Sequence, residues 1–314
     1  MEERNSSQGV RCHRDTPPKR FARGRSPGCP ENIERAASLF LPEFVPEGRI
    51  RVGRTVLFPN IIPWVPDSAV AVFSPVHFAR PADFVEEDLV NGLRACRDYF
   101  ERLSHHKPQV EHHFVGWNYL PTACSSQLHP HIQAFASETP LRQHRELMQA
   151  SRAYYATNQH NYWLDFTVEE KTRSQRYVGA SGGTVWFTSF AGRSWLLDLL
   201  ALFPYRASIL ELSDEDLRGF CHGLAGVFKY MADRNYFSFN LALYSGLPGE
   251  DYFWTHARLV QRSVYGPLDQ SDTGVFQTLQ SSYIMLRRPE DICRELRSYA
   301  PFAPAATDAH QSGS

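Results

Sequence analysis

The sequence predicts an α+β protein built from two similar halves, each an antiparallel sheet with packed helices. The 314 residues are 42% hydrophobic and 13% aromatic, which is enough to fill one large core or two ordinary ones. Short apolar runs that end at proline alternate with segments of helical periodicity. One order of strand, proline, polar loop, acidic first turn and long helix occurs twice, at residues 74–103 and again at residues 203–234.

The repeat divides the chain into four regions. Residues 1–30 are basic and rich in proline and glycine, which favours a flexible arm over a packed element. The N-terminal half is assigned to residues 31–165 and the C-terminal half to residues 166–305. Residues 306–314 are predicted to be a disordered tail.

In the N-terminal half, residues 51–58 and 69–73 have the composition of strands that are stopped by proline. A strong helix is predicted over residues 84–103, because apolar residues recur at helical spacing and three carboxylates occupy its first turn. Residues 111–118 are predicted to form a third strand. Within it, the adjacent His112 and His113 would face opposite sides, so both are interpreted as surface or edge residues.

A polar helix is predicted at residues 141–157, and residues 158–183 are interpreted as a segment that crosses between the halves. The glycine-rich run at residues 179–183 is interpreted as a hairpin or linker, since no Lys-Ser/Thr follows it as in a phosphate loop.

The C-terminal half repeats the order of the first. Strands are predicted at residues 184–187, 195–203, 236–240 and 254–259. Between them a helix begins after Ser213, a suitable N-cap, and runs to about residue 234. A last helix is predicted at residues 289–299.

Charge and cysteine usage restrict the function classes. The 33 basic and 34 acidic residues nearly cancel, so neither nucleic acid nor a membrane is expected as a partner. The six cysteines are scattered, and no apolar leader or run of about 20 apolar residues is present. We therefore expect a cytoplasmic protein with reduced thiols that binds a small molecule.

The stretch from Cys124 to Gln133 carries the strongest chemical signal. If it is extended, His129, His131 and Gln133 point to the same face. A single histidine on an apolar strand is usually a core residue with a satisfied ring nitrogen. Two imidazoles and an amide in one row behind a turn of small residues indicate a functional site instead.

These residues resemble the galactose-1-phosphate uridylyltransferase family, the branch of the histidine-triad superfamily built from two tandem triad-like halves, of which the chain would be a divergent member. The family pattern Asn-x-Gly-x-x-x-Gly-Ala-Ser-x-x-His-Pro-His-x-Gln is matched in spacing by Asn118 through Gln133. Three further blocks occur in the family's order. Residues 59–63 resemble Pro-Asn-Lys-Tyr-Pro, residues 74–77 resemble Ser-Pro-Asp-His, and residues 26–32 resemble Cys-Pro-x-Cys-Pro-Gly-Asn.

The resemblance implies a nucleotidyltransferase that is similar to a hexose-1-phosphate uridylyltransferase. His131 would attack the α-phosphorus of a nucleoside diphosphate compound such as a UDP-sugar, and a phosphate acceptor would then take the nucleotide. A neutral imidazole is a good phosphorus nucleophile near pH 7 when an acceptor holds its other nitrogen. Gln133 and Ser126 could donate hydrogen bonds to phosphate oxygens. By resemblance, Asn60 would lie near the nucleoside and Asn118 near the phosphates.

The implied zinc site is incomplete. Family members with structural zinc use two cysteines, the histidine of Ser-Pro-x-His and the first histidine of the row. Here Ser26 replaces one cysteine, and Cys29, His77 and His129 hold the other three positions. One thiolate and two imidazoles could hold zinc with water, although a structural site normally has four protein ligands. Zinc is therefore a possible cofactor.

The second half departs further from the family. Its sugar-phosphate block, Lys-Phe-x-x-Gly-Tyr-Glu-Met, is represented by residues 278–285, where Tyr283 remains and the lysine is absent. Arg258 is assigned to the nucleophile-like position of this half, and we expect it to bind substrate together with Tyr283. Galactose is not implied.

Two alternatives stay open. Water or inorganic phosphate could resolve the intermediate, which would make the protein a hydrolase or a phosphorylase of a nucleotide compound. It could also be a non-catalytic nucleotide-binding relative, although the joint presence of Ser126, His131 and Gln133 argues against that. A homodimer is expected from the resemblance alone.

Overall fold

The computed structural model of the protein describes residues 49–60 and 63–302. The predicted basic arm, Cys29 and the predicted tail lie outside the described residues. No helix in the described part of the chain is both long enough and apolar enough to cross a membrane.

Ten strands of the described chain form one antiparallel sheet. They are β1 (Ile50–Val52), β2 (Thr55–Pro59), β3 (Asp67–Val72), β4 (His112–Tyr119), β5 (His131–Ser137), β6 (Tyr177–Ser181), β7 (Thr184–Thr188), β8 (Asp198–Leu202), β9 (Ser238–Tyr244) and β10 (His256–Arg262). Their order is β1-β2-β3-β5-β4-β9-β10-β8-β7-β6. Each half contributes five strands in the same internal order, so a pseudo-twofold axis relates the halves.

Helices connect and cover these strands. They are α1 (Glu86–His106), α2 (Arg142–Asn158), α3 (Tyr162–Arg173), α4 (Asp214–Asp233), α5 (Val275–Gln280) and α6 (Pro289–Leu296). A short hairpin, β11 (Val264–Tyr265) with β12 (Gln270–Ser271), stands apart from the large sheet.

The halves meet where β4 pairs with β9. Gly116 lies opposite Ala242 on this seam, and Asn118 lies opposite Asn240. The α+β prediction is confirmed, and the two half sheets join into one continuous sheet.

The two faces of the sheet differ. Along β4, His113, Val115, Trp117 and Tyr119 are buried, whereas the residues between them are only partly buried. The long helices α1 and α4 pack on the buried face, where Trp117 contacts Phe228 of α4 with ring centroids 6.0 Å apart. One hydrophobic cluster runs through both halves on this side. Near the seam, the opposite face of the sheet is not covered by these two helices.

Several predicted elements are confirmed. The helix after Ser213 begins with a capping box, in which Ser213 accepts a hydrogen bond from the Asp216 backbone. The glycine-rich run forms the β6–β7 hairpin, and Gly182 takes a φ of +55° at its turn.

The segment at residues 158–183 contains α3 and β6, and this helix was not predicted because two of its three buried residues, Thr167 and Glu170, are polar. One interpretation is wrong. His113 is buried rather than exposed, and its ring stacks on Phe100 of α1 with centroids 4.6 Å apart.

Candidate active site

A cavity of about 810 Å³ lies on the open face of the sheet and spans the seam. Its floor includes a row of four residues that pair in register across β5, β4, β9 and β10, namely Gln133, Gly116, Ala242 and Arg258. The two central residues are small, so the row forms a trough. Three strand spacings of about 4.8 Å place the Cα atoms at its two ends about 14 Å apart.

His131 is the first residue of β5 and lines the cavity. Its Nδ1 lies 2.8 Å from the backbone carbonyl of His129. Because a carbonyl oxygen only accepts, Nδ1 carries the proton and Nε2 keeps its lone pair. Burial lowers the pKa of His131, which keeps the imidazole neutral at pH 7.

Asn118 also lines the cavity, and a network across the seam fixes its amide. Its Oδ1 accepts a hydrogen bond of 2.7 Å from Asn240 Nδ2. The Oδ1 of Asn240 in turn accepts from Arg262 Nη1 at 2.9 Å, and Asp272 holds the same guanidinium at 2.8 Å. Since its oxygen is engaged on the seam side, Asn118 retains its NH₂ group as a donor.

This network was not identified from the sequence. The sequence offered one signal for it: Asn240 ends a predicted strand that corresponds to the strand ending at Asn118. Arg262 and Asp272 belong to no recognised motif.

The turn before His131 has a backbone that glycine normally adopts. Leu120 has a φ of 69° and Cys124 a φ of 64°. These are the two positions at which the family pattern has glycine. Ser126 follows as an exposed residue of the cavity lining. The turn conformation is therefore present although both glycines are replaced.

In the C-terminal half, Arg258 and Tyr283 line the same cavity. Arg258 holds the fully buried Asp198 with two parallel contacts, Nε to Oδ1 at 2.9 Å and Nη2 to Oδ2 at 2.7 Å. Burial raises the pKa of Asp198, and the guanidinium of Arg258 opposes that effect.

The assignment of Arg258 to the nucleophile-like position is wrong by two residues. His256 begins β10, and its Nδ1 lies 2.9 Å from the carbonyl of Trp254, which repeats the arrangement of His131. Arg258 therefore corresponds to Gln133. His256 is 2% exposed, and burial lowers its pKa to about 4.

The two described zinc-ligand candidates face each other. Nδ1 of His77 lies 3.1 Å from Nδ1 of His129, and Nε2 of His129 donates to the Ser74 carbonyl at 2.7 Å. The lone pair of His129 Nδ1 is therefore directed toward His77. Two nitrogens on one tetrahedral zinc, each about 2.0–2.1 Å from the metal, would be separated by about 3.3 Å, so the pair fits a shared ion. Within the described residues, no group of three or more histidine, cysteine or acidic residues completes a metal site.

The cavity brings together six of the predicted site residues: Ser126, His131, Gln133, Asn118, Arg258 and Tyr283. Asn60 does not belong to the lining of this cavity, and neither do His77 and His129. The backbone N–H of Asn60 donates to the Ser68 carbonyl at 2.9 Å.

No protein-family model matches the chain. An uncharacterized protein of Archaeoglobus fulgidus is 26% identical over 272 residues, which cover 86% of this chain and 80% of that protein.

Solved structures share the fold. A uridylyltransferase superposes with a TM-score of 0.69 at 17% identity, covering 80% of this chain and 85% of its own. A GalT-like protein from Arabidopsis thaliana gives 0.67 at 15% identity, covering 81% and 88%. ADP-glucose phosphorylase from Arabidopsis thaliana with bound ADP-glucose gives 0.66 at 14% identity, covering 79% and 85%. The chain thus has the fold of uridylyltransferase-like proteins, as the resemblance implied.

Proposed function

We propose that the protein is a nucleotidyltransferase that acts on a nucleoside diphosphate compound similar to a UDP-sugar. The observation that carries the proposal is the imidazole of His131, whose Nδ1 is held by the His129 carbonyl at 2.8 Å while the residue lines a large cavity. This arrangement leaves a neutral Nε2 as the nucleophile.

In the first step, the Nε2 lone pair attacks the α-phosphorus. The bond from the α-phosphorus to the bridging oxygen breaks, and the leaving group departs as a phosphate ester. A nucleotidyl-histidine remains, with Nδ1 still donating to the His129 carbonyl. The positive charge that develops on the ring is stabilised by that carbonyl.

In the second step, a phosphate oxygen of the acceptor attacks the same phosphorus. The phosphorus–nitrogen bond breaks and its electron pair returns to Nε2. No proton has to be supplied in either step, so a titrating acid near His131 is not required. Gln133, Ser126 and the Asn118 amide would donate hydrogen bonds to the non-bridging oxygens.

The remaining predicted residues have assigned roles within this proposal. Asn60 would contact the nucleoside. Tyr283 and Arg258, at the opposite end of the trough, would contact the part of the substrate beyond the phosphorus that His131 attacks. The cavity lining supports the roles of Asn118, Tyr283 and Arg258.

Zinc, if bound, would be held by His77 and His129 together with Cys29. It would keep the His129 ring fixed, and with it the backbone carbonyl that holds His131. Stoichiometric zinc in purified protein that disappears in His77→Ala is expected, and metal analysis measures it. Zinc that survives both His77→Ala and Cys29→Ala would contradict this ligand set.

A phosphorylase is the second candidate. It is favoured by the fold shared with ADP-glucose phosphorylase, whose structure contains ADP-glucose. The first step would be the same, and inorganic phosphate would then take the nucleotide from His131. UDP-glucose and ADP-glucose are therefore both needed as test donors.

The experiment is covalent labelling. The purified protein is incubated with UDP-glucose or ADP-glucose radiolabelled at the α-phosphate, and the denatured protein is tested for acid-labile, base-stable label. We expect label on wild-type protein and none on His131→Ala. His106→Ala is the matched control, because His106 is an exposed histidine in the last turn of α1.

Release of the label then separates the candidates. Release by a sugar phosphate other than glucose 1-phosphate, which would only reverse the first step, supports the transferase. Release by inorganic phosphate supports the phosphorylase, and spontaneous loss in buffer supports a hydrolase. Label that persists in His131→Ala would exclude the proposed nucleophile. Donor binding without any label would favour the non-catalytic relative.

A further inference from the structure

A second cavity of about 660 Å³ adjoins the first in the C-terminal half. Arg193, Arg258 and Tyr283 line both cavities and mark their junction. The loop that carries Arg193 is packed closely, since Met285 lies against the bare backbone of Gly192.

The two cavities are cationic. Five arginines line them, and no aspartate or glutamate occurs among the described lining residues; the arginines are Arg193, Arg258, Arg262, Arg287 and Arg288. Four of these side chains form ion pairs, with Asp198, Asp272, Glu295 and Asp291 respectively. The electrostatic potential at the junction therefore depends on the fifth.

Arg193 has no such partner in the described chain. Its Nη2 donates to the neutral Gln143 Oε1 at 2.8 Å, and its guanidinium lies 5.6 Å from the ring centroid of Tyr283. Its backbone N–H, not its side chain, contacts Asp198. The Arg193 side chain is thus a half-buried cation at a cavity junction, where it contacts neutral groups and its charge also favours the ionised form of the nearby Asp198.

Arg258 supplies a second donor at the same place. Its described hydrogen bonds leave from Nε and Nη2, to Asp198, Ser189 and Ala191. None of the described bonds uses Nη1. The rigid ion pair with Asp198 holds the guanidinium in place, so Nη1 would not have to be ordered when a ligand binds.

We propose that Arg193 and Arg258 form an anion-binding subsite that holds a phosphate group of the substrate remote from the phosphorus that His131 attacks. Two guanidinium groups bind phosphate oxygens with charge-assisted hydrogen bonds, which makes phosphate the best match. The assignment of this phosphate to the substrate rests on the proposed function. The binding of an anion by the two arginines does not depend on the chemistry of His131.

The trough sets the position of this group. Gln133 and Arg258 lie at opposite ends of the four-residue row, and the small Gly116 and Ala242 between them line the same cavity, with the rings of Phe114 and Phe135 beside Gly116. A substrate that reacts at His131 and extends along the row reaches the arginines with its far end. The site would thus select a substrate in which the group joined to the nucleotide ends in a negative charge. The two arginines would take the place of the lysine that is missing from the family's sugar-phosphate block.

The test measures binding of inorganic pyrophosphate by isothermal titration calorimetry, because this probe needs no nucleobase and no reaction. Wild-type protein is expected to bind it, and Arg193→Gln to bind at least about tenfold more weakly, as loss of a charged hydrogen-bond donor predicts. Arg193→Lys should recover part of the affinity. The matched control is Arg102→Gln, an exposed arginine of α1 on the other side of the sheet.

His131→Asn separates this site from the reaction centre. Pyrophosphate affinity should be unchanged in this variant although its labelling is lost. Malonate is titrated in parallel, and binding that equals that of pyrophosphate would assign the subsite to carboxylates and overturn the phosphate assignment. The inference is also overturned if wild-type protein binds no pyrophosphate at about 10 mM, a concentration typical of very weak sites. Equal affinity of Arg193→Gln and wild type, or a loss in His131→Asn instead, would overturn it as well.

Discussion

The imidazole of His131 combines two features that act in the same direction. The His129 carbonyl fixes the proton on Nδ1, and burial lowers the pKa. Both features favour the neutral ring with its lone pair on Nε2. A nucleophile of this kind loses activity only when acid protonates that lone pair.

The rate of covalent labelling should therefore be insensitive to pH from about 8 down to 6.5, the ordinary pKa of histidine, and fall only below it. The direction of this pH dependence follows from burial, because burial disfavours the charged ring and moves its protonation to lower pH. Single-turnover labelling at a series of pH values measures this, with circular dichroism confirming the fold at each pH. A half-maximal rate above pH 6.5 would contradict the buried neutral imidazole.

Residue spacing identified His131 and Gln133, because alternation along a strand places both on one face. It could not identify Asn240 and Arg262, which reach Asn118 only through pairing across the seam, more than a hundred residues away in sequence. The two-residue error at Arg258 has the same origin. The strand of the second half was predicted, but the residue at which β10 begins was not.

At the level of elements, four strands build the floor of the cavity. Each supplies one residue of the trough, and the side chains at its centre are a hydrogen atom in Gly116 and a methyl group in Ala242. Small residues on neighbouring strands leave room above the sheet for a ligand. The small side chains at these two positions therefore contribute to the volume of the cavity over the seam.

Ala242→Leu should block the trough without touching His131. We expect labelling by a nucleotide donor to fall by at least about tenfold, because three added heavy atoms occupy substrate volume at the floor. The measurement is the donor concentration dependence of labelling. Ala180→Leu, the same change at an exposed position of β6, is the control. Unchanged labelling in Ala242→Leu would show that the substrate does not cross the row.

At the scale of the whole molecule, three buried histidines connect separate parts of the fold. His113 lies beneath α1, His144 belongs to α2 and His256 begins β10. Burial lowers the pKa of each to about 4. Because the unfolded chain binds their protons near pH 6.5, the folded state loses stability as the pH falls below that value.

The free energy of unfolding should decrease by about 1 kcal/mol per buried histidine between pH 7.5 and 5.5, or by a few kcal/mol for the three together. Urea denaturation at the two pH values measures the change. His144→Gln should reduce the pH-dependent difference, and the same change at the exposed His106 is the control. Equal stability at both pH values would contradict three neutral histidines.

The internal repeat allowed the α+β class and the two halves to be predicted, since strand and helix periodicity is a local property of each segment. The union of the half sheets was not predicted. It depends on the pairing of β4 with β9, which are far apart in sequence. The alternation of buried and partly buried residues along either strand does not indicate which strand it pairs with.

Because the cavity spans the seam, both halves of the chain contribute residues to the site. A chain cut in the turn between α2 and α3 would give two fragments, each with an open edge at β4 or β9 where the sheet now continues. Neither fragment would hold the complete floor, because Gly116 and Asn118 belong to one and Ala242 and Asn240 to the other. Complementation of the two fragments would therefore restore the sheet and the cavity in one association event.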